Sequence, residues 1–363
     1  MKSQYLTVFL FSLLWLSLPI QAQFVLQNNV DIKGEFQVNQ SDLCKVASNT
    51  QAYIKQFSDD DYAVHSGTVI NNINLTRVNK TLDFLCQLPP QDKLTSKFIN
   101  KHFDLYRWYP DKKQADKLAE KSNNKVKKRL LNNIPEQQIF ITKYYTKLLK
   151  ASDKATEEFN QALYALPFDE QLLSIDEAEL NKAQLTRFKY TRQQVIAGAL
   201  KEKSLAKPLI WLSEEALHDV LLQGTGVVEV NGKRRYFNVH RNNGIAYDYT
   251  LGKREQARYW YFAEVPSILG YGKSLADKIA LKPEVTFAGD VKQLGLGKLF
   301  LINYQVAGTP VNNLGILADQ GGAFTNNLFQ LDFLKGSYFG WSDYYQANKH
   351  LPDYANAWLL LVK

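Results

Sequence analysis

Asp332 is the residue whose neighbours most directly indicate proton-transfer chemistry. It lies in the stretch FQLDFL, among Phe329, Leu331, Phe333 and Leu334. Burial beside apolar side chains disfavours an ionised carboxylate, so an Asp in such a position can stay protonated and act as a general acid. The alternative is a surface Asp on a half-exposed strand, because alternate residues of a strand face opposite sides.

Two further aspartates lie in glycine-rich segments. Asp290 precedes VKQLGLG, and Asp319 lies in LADQGGAF, just before Gly321 and Gly322. Aspartates in turns commonly accept hydrogen bonds from backbone amides, which predicts structural roles for both. A carboxylate held near Asp332 would also raise the pKa of Asp332.

The sequence contains no pattern typical of a metal site. It has two cysteines and five scattered histidines, at positions 65, 102, 218, 240 and 350. We expect neither a metal nor another cofactor. The chain begins with Lys2, an apolar run to about Leu18 and a small-residue site at Ala22, which is typical of a cleaved secretory signal over residues 1–22. No cysteine lies at the cleavage point, so we expect an exported, periplasmic protein without a lipid anchor.

The two cysteines, Cys44 and Cys86, lie on segments with helical periodicity. Export to an oxidising compartment favours a disulfide between them, and two separate buried thiols are the alternative. A bridge would join the two predicted helices. The net charge of +8 favours association with polyanions, which for an exported protein are cell-wall polymers or lipid head groups more than nucleic acid. The basic segment 111–131 is expected to form the solvated face of a helix or a mobile connector, with a polyanion contact as the alternative.

The first 130 residues are predicted to be largely helical, including a helix after Pro90 that ends near Pro110. From residue 137 the sequence changes to short apolar segments separated by turns. Asn231-Gly232 between two such segments predicts a type I′ hairpin, and YTRQQVIAGALKEK predicts one helix with Thr191 as its N-cap. We therefore expect a mainly β fold built on barrels, with helices at the N-terminus.

Four stretches in order resemble the lytic transglycosylase A family of murein-cleaving enzymes. IFITKYYTKLLKAS resembles the Phe-Thr-Gly-Tyr-Tyr segment of the family, although Lys143 replaces its Gly. YTRQQVIAGAL followed by LLQGTGVVEV resembles a helix and the Gln-Gly-Ser-Gly turn. RNNGIAYDYTLG is similar to a conserved loop of the family. The fourth stretch resembles its three-aspartate domain. The positions carried over from the first three stretches are Thr142, Tyr144, Tyr145, Gln223, Gly224, Thr225, Gly226 and Asn243.

The three aspartates of the family correspond to Asp290, Asp319 and Asp332. Gly295 stands where the family has Pro, and two extra residues separate Asp319 from Asp332. The resemblance implies that Asp332 is the catalytic acid/base and that Asp290 and Asp319 are supporting carboxylates. It also implies substrate contacts for the positions named above and for Gly321 and Gly322.

The resemblance implies a double-psi β-barrel, a second inserted β-barrel and a groove between them for the glycan strand. The expected division is a helical part at 23–136, the inserted barrel at 137–254 and the catalytic barrel at 255–363. The implied activity is cleavage of the β-1,4 bond between N-acetylmuramic acid (MurNAc) and N-acetylglucosamine (GlcNAc), leaving 1,6-anhydroMurNAc. We expect a monomer that binds peptidoglycan strands, is at most peripheral to the membrane and binds no nucleic acid.

Two alternatives remain at this stage. The replaced glycines and prolines and the insertion before Asp332 fit a catalytically inactive glycan-binding protein of the same fold. A hydrolase that uses Asp332 and Asp319 as a conventional carboxylate pair is the other, since glycosidases place such groups on opposite sides of the cleaved bond. Several positions leave both a structural and a functional interpretation open. Trp341 and Tyr344 could stack on sugars or pack on the C-terminal strand, and the segment 223–226 could be a simple turn. Thr142, Tyr144 and Tyr145 could equally be core and hydrogen-bonding residues of a strand.

Overall fold

The computed structural model describes residues 23–68, 73–321 and 324–363. The predicted signal peptide and Gly322 lie outside the described residues. The strands are β1 Gln23–Gln27, β2 Glu35–Gln37, β3 Phe103–Tyr109, β4 Ile139–Lys150, β5 Gln161–Pro167, β6 Ala206–Leu212, β7 Thr225–Val230, β8 Lys233–Asn242, β9 Trp260–Val265, β10 Thr286–Ala288, β11 Leu299–Val306, β12 Thr309–Asp319, β13 Gln330–Tyr338 and β14 Tyr354–Val362. The helices are α1 Gln40–Gln56, α2 Leu75–Leu85, α3 Ser96–His102, α4 Lys112–Glu120, α5 Lys125–Asn132, α6 Ile175–Leu180, α7 Arg192–Ile196, α8 Ala199–Glu202, α9 Glu214–Gln223, α10 Val291–Leu294 and α11 Trp341–Asn348.

Six strands close into a barrel in the order β4, β14, β11, β12, β10 and β13. The β12–β10 and β13–β4 pairs are parallel, the other pairs are antiparallel, and the β14–β4 pair closes the ring. Alternate residues of these strands fill the interior with Leu, Ile and Phe side chains, such as Phe287, Phe300 and Phe333. The predicted mainly β fold with a barrel and N-terminal helices is confirmed.

Helices α1 and α2 pack against this barrel. Asn39 and Asn74 cap their N-termini by accepting hydrogen bonds from backbone amides. The predicted apolar faces, which include Val46 and Val78, are buried in the same core as the barrel interior. Cys44 and Cys86 form the predicted disulfide, which joins the two helices.

The segment after Pro90 differs from the sequence-based prediction. Its helix, α3, ends at His102, and Phe103–Tyr109 forms strand β3 instead of continuing the helix. Strand β3 pairs with β1 on one side and β14 on the other, and Leu105 and Trp108 are buried. Two strand partners and a buried aromatic therefore override the helical pattern.

The basic segment 111–131 folds into two helices, α4 and α5. Their buried side chains, Ala115, Ala119 and Leu131, form a small core with Phe140 and Phe329. The remaining side chains of both helices are largely exposed, as expected for a solvated helix face. This small core supports the chain immediately before β13.

A second core lies between residues 149 and 262 and is enclosed by β5–β9 and α9. Strand β4 connects it to the barrel, because its last residues pair with β7. The predicted hairpin is present between β7 and β8, with Asn231 and Gly232 both at positive φ. The predicted single helix after Thr191 is instead two short helices, α7 and α8, because Gly198 adopts φ +104° between them.

No helix among residues 23–68, 73–321 and 324–363 is long and apolar enough to cross a membrane.

Candidate functional site

A row of four register partners crosses the barrel surface. Ala288 on β10 is the partner of Asp319 on β12 and of Asp332 on β13, and Asp332 is in turn the partner of Thr142 on β4. Register partners on adjacent strands point to the same side of a sheet. Because neighbouring strands lie about 5 Å apart, the Cα atoms of the two aspartates are about 10 Å apart. We call these four residues the carboxylate row.

Strand alternation explains why Asp332 lies in an apolar run. Leu331 and Phe333 point into the barrel core, whereas Asp332 lies half-buried on the opposite face of β13. The same alternation would allow Asp332 to be an exposed surface residue. The outer face is not fully exposed to solvent at this position, however, because the Oδ1 atom of Asp332 is buried and has no hydrogen-bond partner among the described residues.

Burial raises the pKa of Asp332 to about 7. The hydroxyl of Thr142 and the ammonium of Lys143 act in the opposite direction, and the charge of Asp319 adds to the rise. A carboxyl group with this pKa is substantially protonated at neutral pH. It can therefore give a proton as an acid and take one back as a base.

Both carboxylate oxygens of Asp319 accept hydrogen bonds from the protein. Its Oδ2 accepts a hydrogen bond from the Tyr144 hydroxyl at 2.9 Å, and its Oδ1 accepts one from the Gln320 amide at 2.8 Å. Burial raises the pKa of Asp319 to about 6, while these two bonds and the positive charge of Lys278 limit the rise. The two aspartates thus differ in hydrogen bonding. Both oxygens of Asp319 accept hydrogen bonds, whereas Oδ1 of Asp332 has no partner among the described residues, and Asp332 has the higher pKa.

Asp290 has the structural role that its glycine-rich context predicts. It is buried and caps the N-terminus of α10, where its Oδ1 accepts a hydrogen bond from the Gln293 amide at 3.2 Å. Its Oδ2 accepts another from the Asn327 amide at 2.9 Å. Asp290 therefore fastens the loop that leads into β13, which places Asp332.

Thr142 and Tyr144 lie on the same face of β4. Thr142 belongs to the carboxylate row, and the Tyr144 hydroxyl donates a hydrogen bond to Asp319 of that row. The Thr142 hydroxyl accepts a hydrogen bond from Gln330 Nε2 at 2.7 Å. Tyr145 points elsewhere: its ring stacks on Tyr344 with centroids 4.5 Å apart. Lys143, the departure from the family pattern, bonds to the carbonyl of Pro352 and not to a residue of the row.

The segment Gln223–Gly226 forms the turn between α9 and β7. Gly224 is the helix C-cap at φ +75°, and the Gln223 side chain accepts a hydrogen bond from the Lys147 amide at 3.3 Å. A Cβ at Gly226 would lie 3.3 Å from Val220. This segment lies beside the end of β4 remote from Thr142, outside the carboxylate row. The Thr225 hydroxyl accepts a hydrogen bond from Asn238 Nδ2 at 3.0 Å.

Asn243 lies in the second core and away from the row. Its buried amide donates to the carbonyls of Tyr190 and Ala257 and accepts from the Tyr259 amide. Gly321 follows Asp319 closely, and a Cβ there would lie 2.8 Å from the ring of Phe324.

Near the row, Lys278 and Gln330 were not singled out from the sequence, and Tyr344 was left with both a structural and a functional interpretation. Lys278 lies close enough for its charge to act on Asp319, and Gln330 fixes Thr142. Tyr344 is buried, and its pKa is raised to about 12 by burial and by the charge of Asp332. The residues that share a strand face were detectable as alternating positions. The contact of Lys278 depends on a long-range chain path that no local pattern reveals.

Residues 140–254 match the family model described as the MltA specific insert domain. The chain is also similar to three solved structures. These are MltA from Neisseria gonorrhoeae (15% identity, 94% of this chain and 92% of that chain covered, TM-score 0.55), membrane-bound lytic murein transglycosylase from Agrobacterium tumefaciens (14%, 94% and 97%, 0.54) and E. coli MltA with bound chitohexaose (16%, 93% and 94%, 0.51).

This chain has the MltA fold and contains the MltA insert domain. The predicted resemblance to the MltA family is therefore confirmed. No curated protein matches the chain in a sequence comparison. The match to the MltA insert domain covers most of the second core, from β4 to the loop after β8, and ends before Tyr259, Tyr261 and Phe262 of that core. The carboxylate row lies outside the match, except for Thr142.

Proposed function

We propose that this chain is a peptidoglycan lytic transglycosylase with Asp332 as its single acid/base. The observation that carries the proposal is the buried Asp332 Oδ1, which has no hydrogen-bond partner within the described residues, on a carboxyl group with a pKa near 7. Its fold is shared with lytic murein transglycosylases, and one MltA structure contains chitohexaose. The β-1,4 bond between MurNAc and GlcNAc is the proposed target.

One carboxyl group is sufficient for this reaction because the substrate supplies the nucleophile. Protonated Asp332 gives its proton to the glycosidic oxygen as the C1–O bond of MurNAc breaks. The C6 hydroxyl of the same sugar then attacks C1, and its proton passes to the Asp332 carboxylate. The product is 1,6-anhydroMurNAc, and Asp332 returns to its starting state.

Asp319 has a supporting role in this scheme. Its negative charge helps to keep Asp332 protonated, and its own hydrogen bonds from Tyr144 and Gln320 hold it in place. Thr142 lies on the other side of Asp332 in the row. Tyr145, the turn Gln223–Gly226, Asn243, Gly321 and Gly322 stay predicted substrate-binding positions.

We propose the domain division 23–136, 137–254 and 255–363, with strand β9 completing the sheet of the inserted part by pairing with β8. We also propose that the mature protein starts near Gln23, is exported to the periplasm without lipidation, acts as a monomer and needs no cofactor. The N-terminal sequence pattern and the disulfide between Cys44 and Cys86 support export.

The test is digestion of purified peptidoglycan by residues 23–363 and by the Asp332→Asn variant, with soluble products identified by mass spectrometry. Products ending in 1,6-anhydroMurNAc, formed only by the unmodified protein, are expected. Products with reducing ends would instead indicate a hydrolase that uses the Asp332 and Asp319 pair. Glycan binding without any product would indicate the inactive alternative, which the substitution of Lys143 for the family Gly motivates.

A further inference from the structure

A cleft of about 750 Å³ is lined in part by Lys278, whose charge acts on Asp319 of the carboxylate row. Its walls are β8, β9 and the segment between β9 and β10, and its lining includes Arg241, Trp260, Glu264, Lys273 and Lys278. We call it the Lys278 cleft. Its volume is within the range of about 300 to 1,000 Å³ that is typical of ligand sites.

The Lys278 cleft carries an excess of positive charge. Arg241 lies 2.9 Å from a glutamate carboxylate and Glu264 lies 2.7 Å from an arginine, so these two charges are paired. The Lys278 ammonium donates to an amide oxygen and the Lys273 ammonium lies over the ring of Phe57, and neither forms an ion pair within 4.0 Å among the described residues. Two ammonium groups without ion-pair partners in a concave site favour a ligand that carries carboxylates.

Lys278 connects this cleft to the carboxylate row. Its ammonium donates to Asn238 Oδ1 at 3.1 Å, and Asn238 is the residue that bonds to Thr225. The side chain is half-buried, and its positive charge acts on Asp319. A ligand group that binds to Lys278 would therefore lie next to the bond on which Asp332 is proposed to act.

We propose that the Lys278 cleft binds the peptide stem of the substrate, with the stem carboxylates on Lys278 and Lys273. This inference rests on the proposed function. Each stem is attached to the MurNAc whose bond is cleaved, so in a productive complex the stem starts near the carboxylate row and can reach Lys278. The indole of Trp260 offers an apolar surface for the uncharged parts of the stem. The cleft thus makes cleavage selective for glycans that carry stems.

The test compares intact peptidoglycan with the same material after an amidase has removed the peptides, which also removes the cross-links and leaves the lactyl carboxylate of MurNAc free. Lys278→Met removes the charge and keeps the chain length. It is expected to raise KM for the stem-bearing substrate about tenfold, because a charge-assisted hydrogen bond is lost, and to leave KM for the stem-free glycan unchanged. Lys278→Arg should restore the selectivity.

Lys233→Met is the matched control, because Lys233 is exposed near the hairpin turn on the same strand, β8, and does not line the cleft. Equal effects of Lys278→Met on both substrates, or no effect on either, would overturn the proposal. If the wild-type protein cleaves neither substrate, the proposed function fails separately. Sedimentation of protein with each substrate then tests the cleft alone: wild-type protein must prefer the stem-bearing form, and Lys278→Met must lose that preference.

Discussion

Asp319 and Asp332 are register partners of the same residue, Ala288, on opposite sides of the short strand β10. A single alanine thus separates two carboxyl groups whose pKa values are both raised by burial.

Asp332→Asn should lower kcat on peptidoglycan by about 10³-fold, since general acid–base catalysis contributes about 10² to 10⁴. The variant should bind glycan as well as the wild type does. Its stability should be equal or higher at neutral pH, because a neutral amide is buried more easily than a carboxylate. Asp92→Asn, an exposed substitution, is the control for general effects. Retained full activity of Asp332→Asn would contradict the role of this residue.

The contribution of Asp332 and Asp319 to stability should fall as the pH rises from about 4 to about 7. The pKa values of Asp332 and Asp319 in the folded protein, about 7 and about 6, are above the value of 3.8 that applies to the unfolded chain. The folded state therefore binds more protons in this window, and loss of those protons destabilises it. Above the folded pKa values the contribution becomes constant.

The measurement is the midpoint of thermal unfolding between pH 4 and 8 for the wild type and for Asp332→Asn. The variant should lose the part of the slope that lies nearest to pH 7 and keep the part due to Asp319. A pH dependence identical in the two proteins would show that Asp332 titrates normally. Activity should also fall above pH 7, because the acid form of Asp332 is lost there.

Tyr144→Phe should raise the pKa of Asp319, because it removes the hydroxyl hydrogen bond to Oδ2 and leaves burial unopposed at that atom. Asp319 should then lose its proton at higher pH, with a smaller effect on Asp332 and on the loss of activity above pH 7. Carbon NMR of the labelled aspartate carboxyl groups would measure both pKa values directly. Tyr249→Phe, at an exposed tyrosine far along the chain, should leave the profile unchanged.

The sequence predicts the strand that carries Asp332, the Asn231-Gly232 hairpin and the disulfide-linked helices, because each depends on local periodicity, turn preference or cysteine chemistry. It fails for Phe103–Tyr109, whose strand conformation depends on pairing with β1 and β14, both far away in sequence. The pKa of Asp332 is also beyond local patterns. That pKa depends on the burial of the outer face of β13 and on the nearby charge of Asp319, and both depend on strands that are brought together by the fold.

Asp290→Ala should destabilise the protein by about 2 to 4 kcal/mol, because it leaves two backbone amides without their acceptor, one at a helix N-terminus and one in the loop before β13. Urea unfolding measures this change. Asp111→Ala removes the N-cap of α4 and should cost only about 1 kcal/mol. Equal effects of the two variants would show that Asp290 does not hold the loop before β13. Asp290→Ala should also reduce activity more than its loss of stability explains, since the loop before β13 positions Asp332.

Of two aromatic residues of α11, Tyr344 should contribute to the stability of the fold and Trp341 should not. Tyr344 is 7% exposed and stacks on Tyr145, whereas Trp341 is 67% exposed. Tyr344→Ala should therefore lower the free energy of unfolding by about 3 kcal/mol, and Trp341→Ala by less than about 1 kcal/mol. Chemical denaturation of both variants provides the measurement. If Trp341→Ala destabilises the protein as much as Tyr344→Ala, the indole of Trp341 contributes to the fold by packing. If Trp341→Ala has the small effect expected, the effect of this variant on glycan binding can be measured without interference from unfolding.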